Sequence, residues 1–323
     1  MKKSIFLFFA LVAGALNLFA QDDCVKVETT FEGTASITFV RYPHKEMPGL
    51  FTVNASGDLV RFAQGNLQYR ASTNVWRFAE NQWDAVRSDN KNVSDTYDGW
   101  IDLFCWGTSG YNNGAAEYQP YSTSSADADY YGDNVSDTES DWAWHNVIIN
   151  GGNEYGPKAH QWRVLTSNEW KYIFSTRANA DQLWGFGKLM KINEAAVQGV
   201  YLLPDSWNWE TVDPGETLRT AAGFTWTPNT KNFNSMQISA NGAGVALWTA
   251  MEAAGAVFLP AGGYRRGTGT ENGASHGYYW SATSQSATQA YIVRFYNGTF
   301  NNGSRITGKG DGRSIRPVQD MDE

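Results

Sequence analysis

Between residues 256 and 318, an apolar frame encloses a run of small polar and aromatic residues. The frame is Ala256-Val257-Phe258-Leu259-Pro260, then Gly277-Tyr278-Tyr279-Trp280-Ser281, and finally Ile315-Arg316-Pro317-Val318. Within it lie Thr283, Ser284, Gln285, Ser286, Thr288, Gln289, Asn297, Thr299, Asn301, Asn302, Ser304 and Thr307, interspersed with Tyr291, Arg294, Tyr296, Phe300 and Arg305. Apolar strands around such a segment can hold a loop-rich surface rigid, and Tyr, Ser, Asn and Arg together make an adaptable binding surface. The sequence therefore argues recognition as the mode of action.

The rest of the chain supports a loop-rich, plug-filled domain. Its 323 residues include 14 Trp, 16 Tyr, 17 Phe and 32 Gly, which describes tight turns, short strands and large aromatic plugs rather than a helical bundle. The formal net charge is −8 and no basic patch is visible, which argues against a nucleic-acid binder or a protein held on anionic lipid. With only Cys24 and Cys105, no disulfide framework is available, although one bridge between them would tether the N-terminus. Stability must then come mainly from packing.

Residues 1–20 read as a secretory signal: Lys2 and Lys3 supply the positive start, Ile5 to Leu16 the apolar stretch, and Phe19-Ala20 the cleavage end. The apolar run is too short for a comfortable membrane span. Cys24 stands near a lipoprotein position, but Gln21-Asp22-Asp23 lack the small and aliphatic residues of a lipoprotein signal. The mature protein is expected to be secreted, periplasmic or on the outer cell surface, with no transmembrane segment. Residues 21–47 form an arm or linker with an alternating patch, Ala35-Ser36-Ile37-Thr38-Phe39-Val40, and residues 48–320 the main domain.

Residues 48–80 read as a β-meander built on Leu50-Phe51-Thr52-Val53, Leu59-Val60-Arg61-Phe62, Leu67-Gln68-Tyr69-Arg70 and Val75-Trp76-Arg77-Phe78. Residues 84–157 are a long loop region anchored by Trp100, Phe104, Trp106, Trp142 and Trp144; loops of this length are usually functional or ordered by something. Its acidic residues raise the question of structural calcium. On an EF-hand template Asp127, Asp129 and Gly132 fit, whereas Tyr131 and Thr138 do not, so Asp127, Asp129 and Asp133 remain a weak calcium candidate beside a solvated acidic loop. No other cofactor is expected.

Thr166-Ser167-Asn168-Glu169 forms a capping box for a helix that turns Trp170, Ile173 and Phe174 inward. Gln161 to Leu165 just before it reads as a short strand, as do Val200 to Pro204 and Ala256 to Leu259. A second helix is expected over Val245 to Ala254, with Leu247, Met251 and Ala254 on one face and Gly255 as its stop.

The series Trp162-Arg163-Val164-Leu165-Thr166-Ser167-Asn168-Glu169-Trp170, Phe258-Leu259-Pro260-Ala261-Gly262-Gly263-Tyr264-Arg265, Gly277-Tyr278-Tyr279-Trp280-Ser281-Ala282-Thr283 and Gly312-Arg313-Ser314-Ile315-Arg316-Pro317-Val318 resembles the C-type-lectin-like domains of the formylglycine-generating-enzyme type. More narrowly, it is similar to secreted Bacteroidetes proteins that carry the Fibrobacter succinogenes major paralogous domain, some of whose relatives are targets of diversity-generating retroelements. The resemblance covers residues 48–318. It implies an α+β, C-type-lectin-like fold in which two helices flank small antiparallel sheets and long loops share one face. It also implies that the variable positions of a retroelement target would correspond to residues 281–313.

Strand parity bears on the same segment. In Tyr291-Ile292-Val293-Arg294-Phe295-Tyr296, Tyr291, Val293 and Phe295 read as the packed set, leaving Ile292, Arg294 and Tyr296 towards the ligand. Asn297-Gly298 is the expected hairpin turn. The candidate ligand-binding residues are Ser281, Thr283, Gln285, Gln289, Ile292, Arg294, Tyr296, Asn297, Thr299, Asn301, Asn302 and Arg305. Tyr279 and Trp280 read as framework, and Arg316 as held by a carboxylate or backbone carbonyl inside the fold. Arg265 and Arg266 read as exposed after the Gly262-Gly263 turn, with structural and binding roles equally open.

Catalysis is not expected. The formylglycine-generating chemistry of the parent fold needs neighbouring reactive thiols, and Cys105, between Phe104 and Trp106, reads instead as a buried small hydrophobe. His44, His145, His160 and His276 show no metal-ligand spacing, and no nucleophile elbow, phosphate loop or dinucleotide fingerprint is present. Two readings remain. One is a secreted or cell-surface binder of protein or carbohydrate, although the Glu-Pro-Asn and Gln-Pro-Asp triplets of calcium-dependent sugar binding are missing. The other is a structural or adhesin subunit of a surface assembly, with residues 21–47 donated as a strand to a partner.

Overall fold

Val318–Met321 at the C-terminal end pairs antiparallel with Leu59–Phe62, so the main domain closes by joining its last strand to one of its first. The computed structural model describes residues 25–30, 36–41, 46–112, 115–152, 155–191, 195–238 and 242–321. The expected leader, Cys24 and its pairing lie outside the described residues.

In chain order the strands are β1 (Val25–Thr30), β2 (Ser36–Arg41), β3 (Phe51–Thr52), β4 (Leu59–Phe62), β5 (Leu67–Arg70), β6 (Val75–Phe78), β7 (Trp184–Lys191), β8 (Val197–Leu202), β9 (Asn234–Ile238), β10 (Val257–Pro260), β11 (Tyr264–Arg266), β12 (Gly269–Glu271), β13 (His276–Ser284), β14 (Gln289–Tyr296), β15 (Thr299–Gly308), β16 (Asp311–Gly312) and β17 (Val318–Met321). The α-helices are α1 (Trp142–His145), α2 (Ser167–Ser175), α3 (Trp209–Val212), α4 (Thr217–Ala222) and α5 (Ala243–Ala253). The fold is α+β, with small sheets in the orders β1-β2, β10-β8-β7-β9, β12-β11-β16, β13-β14-β15, β17-β4-β3 and β5-β6.

Local chemistry accounts for several of these boundaries. The Thr166 hydroxyl accepts the Glu169 N–H while the Glu169 carboxylate accepts the Thr166 N–H, starting α2 and turning Trp170, Ile173 and Phe174 into the core. Helix α5 ends at Gly255, whose φ of +90 suits glycine. It buries Trp248 as well as Leu247 and Met251, against Tyr201 and Phe258.

Two expectations need correction. Residues 48–80 are not one meander: β4 bonds to β3 and β17, whereas β5 and β6 form a separate hairpin. Gln161 to Leu165 is not a strand; it contributes one isolated bridge, Arg163 to Val318. Here groups that would extend a ladder go elsewhere: the Val164 N–H donates to Asp141 Oδ2 at 2.9 Å, and the Leu165 carbonyl accepts the Ala282 N–H.

The sheet β13-β14-β15 is buried by two aromatic clusters. On one side Tyr279, Val293 and Phe295 join Phe51, Phe62, Trp170 and Phe174. On the other, Tyr278, Trp280, Ala282, Ala290 and Ile292 join Trp76, Phe104, Cys105, Trp106 and Trp142. The loop region is therefore a wall of the core: Trp106 meets Trp142 edge-on at 5.9 Å and Trp280 at 5.1 Å. It is stitched to β13 by the Val135 N–H on the Ala282 carbonyl and by Ser284, whose N–H donates to Asn134 Oδ1. The ammonium of the buried Lys309 donates to the Tyr131 and Gly132 carbonyls and to Ser284 Oγ, and burial pushes its pKa down to about 8.

Candidate ligand-binding face

Cross-strand pairing sets the geometry of the site. Strand β14 lies between β13 and β15, so each of its residues shares a side with a paired residue on either hand. One row is His276, Tyr296 and Thr299; the next is Tyr278, Arg294 and Asn301; the third is Trp280, Ile292 and Arg305. The Asn297-Gly298 turn that aligns β14 with β15 has φ of +43 and +74, the left-handed pair expected for a tight hairpin. Between Ile292 and Val293 the register slips, leaving Gly303 and Ser304 as a bulge in β15. Gly303 is buried, and a Cβ on it would crowd the Ser167 carbonyl and the Trp170 side chain of α2.

Sides alternate along β14 as expected and Val293 and Phe295 are packed, but Tyr291 is only half-buried, with Lys171 over its ring, and the expectation for Ile292 fails. Ile292 is only 1% exposed, because the loop-region cluster covers Trp280 and Ile292 and leaves only Arg305, on the edge strand, exposed in the third row. Ser281 is also fully buried and donates to the Tyr291 carbonyl. Thr283 accepts the Ser167 N–H with its hydroxyl and so supports the start of α2, and Asn302 donates to Ser175 Oγ at its end. These four residues serve the scaffold. Gln285 is exposed and Gln289 half-buried at the far end of the β13–β14 hairpin, away from the first two rows.

The open end therefore comprises Arg294, Tyr296, Asn297, Thr299, Asn301 and Arg305, with Asn297, Thr299 and Arg305 exposed and the other three half-buried. His276 and Tyr264, both half-buried, extend it, with Tyr278 and Arg313 buried beneath them; none of the four was among the expected site residues. The signal was the alternation of His276, Tyr278 and Trp280, but its alignment with Arg294 and Tyr296 depends on a strand register that the local sequence does not carry.

The rings at this end are stacked. His276 lies on Tyr296 with centroids 4.6 Å apart and planes 7° apart, and the Arg294 guanidinium packs on Tyr296 at 4.8 Å. Burial and the neighbouring Arg294 charge lower the His276 pKa, so its imidazole is neutral at pH 7. Arg313 lies over Tyr278 at 4.3 Å and Tyr264 at 4.6 Å, and its Nη2 donates to Asp311 Oδ2 and Thr307 Oγ1. Hydrogen bonding to Glu271, then burial, pushes the Tyr264 phenol up to about 12.

Arg294 and Arg305 differ from these tied groups. Neither makes an ion pair or a side-chain hydrogen bond among the described residues. Arg294 Nε and Asn301 Oδ1 are both buried and both lack a hydrogen-bond partner.

Arg265 is not exposed, as expected from its turn, but fully buried. Its guanidinium donates to the Leu103, Ser122 and Gly267 carbonyls and lies 3.6 Å from Cys105 Sγ. Burying a guanidinium in this way ties the loop region to β11. Arg266 is half-exposed and pairs with Asp311 at 2.9 Å. Arg316 donates to the carbonyls of Ala63, Gln82 and Phe258, in agreement with the expected internal role. Tyr279 and Trp280 are fully buried framework.

The calcium candidate is corrected as well. Asp127 Oδ1 accepts the Gly310 N–H, Asp129 Oδ2 accepts the Ser124 hydroxyl, and no group of three or more His, Cys, Asp or Glu among the described residues could hold a metal ion. Asp127 and Asp129 thus serve as hydrogen-bond acceptors for separate partners. Glu117, Tyr118, Tyr121, Ser122–Ser124 and Ala128–Tyr130 line a separate open groove of about 620 Å³. No family model, curated protein or solved structure matches this chain.

Proposed function

We propose that this chain is a secreted or cell-surface ligand-binding protein on a C-type-lectin-like scaffold, which recognises a carbohydrate or protein through the open end of β13-β14-β15. It performs no catalysis in this reading. The observation that carries it is that Arg294 and Arg305 stand on the sheet without an ion pair or side-chain hydrogen bond among the described residues, beside a stack of Tyr296 on His276. A side chain such as Arg294, held on a ring but left without an ion pair, suits recognition, because little ordering of it remains to be done when a ligand arrives.

Screening of immobilised glycans and secreted proteins against the full chain and a combined Arg294→Ala, Tyr296→Ala, Arg305→Ala variant tests this reading. Binding should disappear in the variant while its thermal melting stays close to that of the parent. A ligand that binds both equally well would place recognition elsewhere. Retroelement diversification is a separate part of the reading, supported by the exposed positions between Asn297 and Arg305. It requires a reverse transcriptase and a template copy of this segment in the neighbouring DNA.

The runner-up is a structural or adhesin subunit. It draws support from β1 and β2, which pair only with each other among the described residues and form a two-stranded sheet of their own. Deleting residues 21–45 separates the readings, since loss of assembly with retained ligand binding favours the structural one. Among the described residues no helix is long and apolar enough to cross a membrane.

A further inference from the structure

We infer that the open end of β13-β14-β15 takes an acidic saccharide, a sugar bearing a carboxylate beside free hydroxyls. This inference rests on the binding reading above and narrows its ligand.

Charge is the first argument. The chain carries a net −8, yet this end of the sheet presents Arg294 and Arg305 without compensation. Nearby acids are already engaged: Asp311 by Arg266 and Arg313, and Glu271 by the Tyr264 hydroxyl. His276 is neutral, so it neither adds to nor cancels that charge. A negative charge is therefore what the ligand must supply.

Orientation is the second. A guanidinium lying on an aromatic ring directs its N–H groups along its own plane, and stacking fixes that plane before the ligand arrives. Arg294 is held in this way on Tyr296, and its buried Nε has no acceptor. A carboxylate can take two parallel N–H bonds from such a fork.

The third argument separates a sugar from an acidic peptide. Asn301 is paired with Arg294 across β14 and β15, and its buried Oδ1 has no donor. The same spot thus lacks one acceptor and one donor, and leaving either unmet costs free energy. A sugar acid offers both within one ring, a carboxylate for Arg294 and a hydroxyl for Asn301. An aspartate or glutamate side chain offers only acceptors when ionised, so an acidic peptide would have to bring a backbone N–H to the same spot to meet Asn301. A protein partner would also want an apolar anchor, and the exposed large hydrophobics among the described residues are Val147, Ile149 and Tyr155, outside these rows.

The test is calorimetric titration of the full chain with oligogalacturonate, hyaluronate oligomers, methyl-esterified oligogalacturonate and a polyglutamate peptide. At least one acidic sugar should bind, weakening as salt is raised, and the ester should bind at least about tenfold less tightly than its acid, as expected for loss of a charge-assisted bond. Arg294→Gln should weaken binding by a similar factor, and Asn301→Ala should weaken the sugar several-fold, both with little change in melting temperature. Equal binding of ester and acid, tighter binding of polyglutamate, or binding of neither acidic sugar overturns the inference. If a neutral glycan or a peptide binds instead and Arg294→Gln abolishes it, the binding face stands and only its ligand class falls. A ligand indifferent to these residues removes both.

Discussion

Ile292 and Arg294 stand on the same side of β14, one alternate position apart, yet Ile292 is enclosed and Arg294 is only half-buried. Trp280 and Tyr296 divide in the same way, into a fully buried plug and a half-buried ring. Residues 100–143 make the difference, since their aromatic residues cover Trp280 and Ile292 of the inner row and reach Tyr278 of the next, leaving Arg305, Arg294 and Tyr296 uncovered or only half-covered. The arginines repeat the contrast: Arg316 and Arg265 are spent on backbone carbonyls inside the fold, whereas Arg294 and Arg305 are left without them. One face of a sheet can thus be scaffold at one end and surface at the other, and alternation along a strand cannot locate the boundary.

If the inner end is scaffold, truncating its central plug should be severe. Trp280→Ala removes a ring packed on Trp106 and breaks the indole N–H bond to the Phe104 carbonyl, and it should lower unfolding free energy by about 3–5 kcal/mol in denaturant titration. A smaller loss would mean that the loop region folds without β13. Gly277→Ala comes next. A methyl there would fall within the Phe295 ring, so the variant should lose about 1–3 kcal/mol by the same titration.

Asp141 tests how the covering region is attached. Its carboxylate accepts the Ala143, Trp144 and Val164 N–H groups, and Asp141→Asn sets an amide N–H against one of those donors, costing about 1–3 kcal/mol. Burial pushes the pKa of Asp141, and likewise of Asp102, up to about 6. Because these folded values lie above the ordinary carboxylate value of 3.8, their contribution to stability is complete below that pH and is lost as pH rises through about 6. Melting temperatures recorded between pH 7 and pH 5 should show this gain in the parent and less of it in Asp141→Asn.

The smallest effect sharpens the comparison most. Arg305→Gln, at an exposed position, should change unfolding free energy by less than about 0.5 kcal/mol, and Arg294→Gln, which gives up only a cation–π contact with Tyr296, by no more than about 1 kcal/mol. A loss comparable to that of Trp280→Ala would make the outer end part of the scaffold too.

Much of the local architecture was legible. The Thr166 capping box, the Gly255 helix stop and the Asn297-Gly298 turn each depend on groups a few residues apart, and each appears where its chemistry requires. The internal role of Arg316 and the plugging roles of Tyr279 and Trp280 were legible from their apolar neighbours. Arg265 was misread because a turn of glycines looks exposed, while the carbonyls that receive its guanidinium include those of Leu103 and Ser122, far along the chain. Ile292 was misread because parity assigns a side and says nothing about what lies over it, and Ser281 because it stands at the start of the polar segment, where its bond to the Tyr291 carbonyl is not visible.

By itself, the sequence determined the caps, the turns, the alternation of β14 and the store of aromatic plugs, since these follow from backbone hydrogen bonding and side-chain shape over short distances. Only the tertiary structure decided which row of the sheet is covered and which arginines keep free donors. Those outcomes depend on strand register, on the bulge at Gly303 and on a wall of tryptophans brought from elsewhere in the chain, contacts that exist only once distant segments meet.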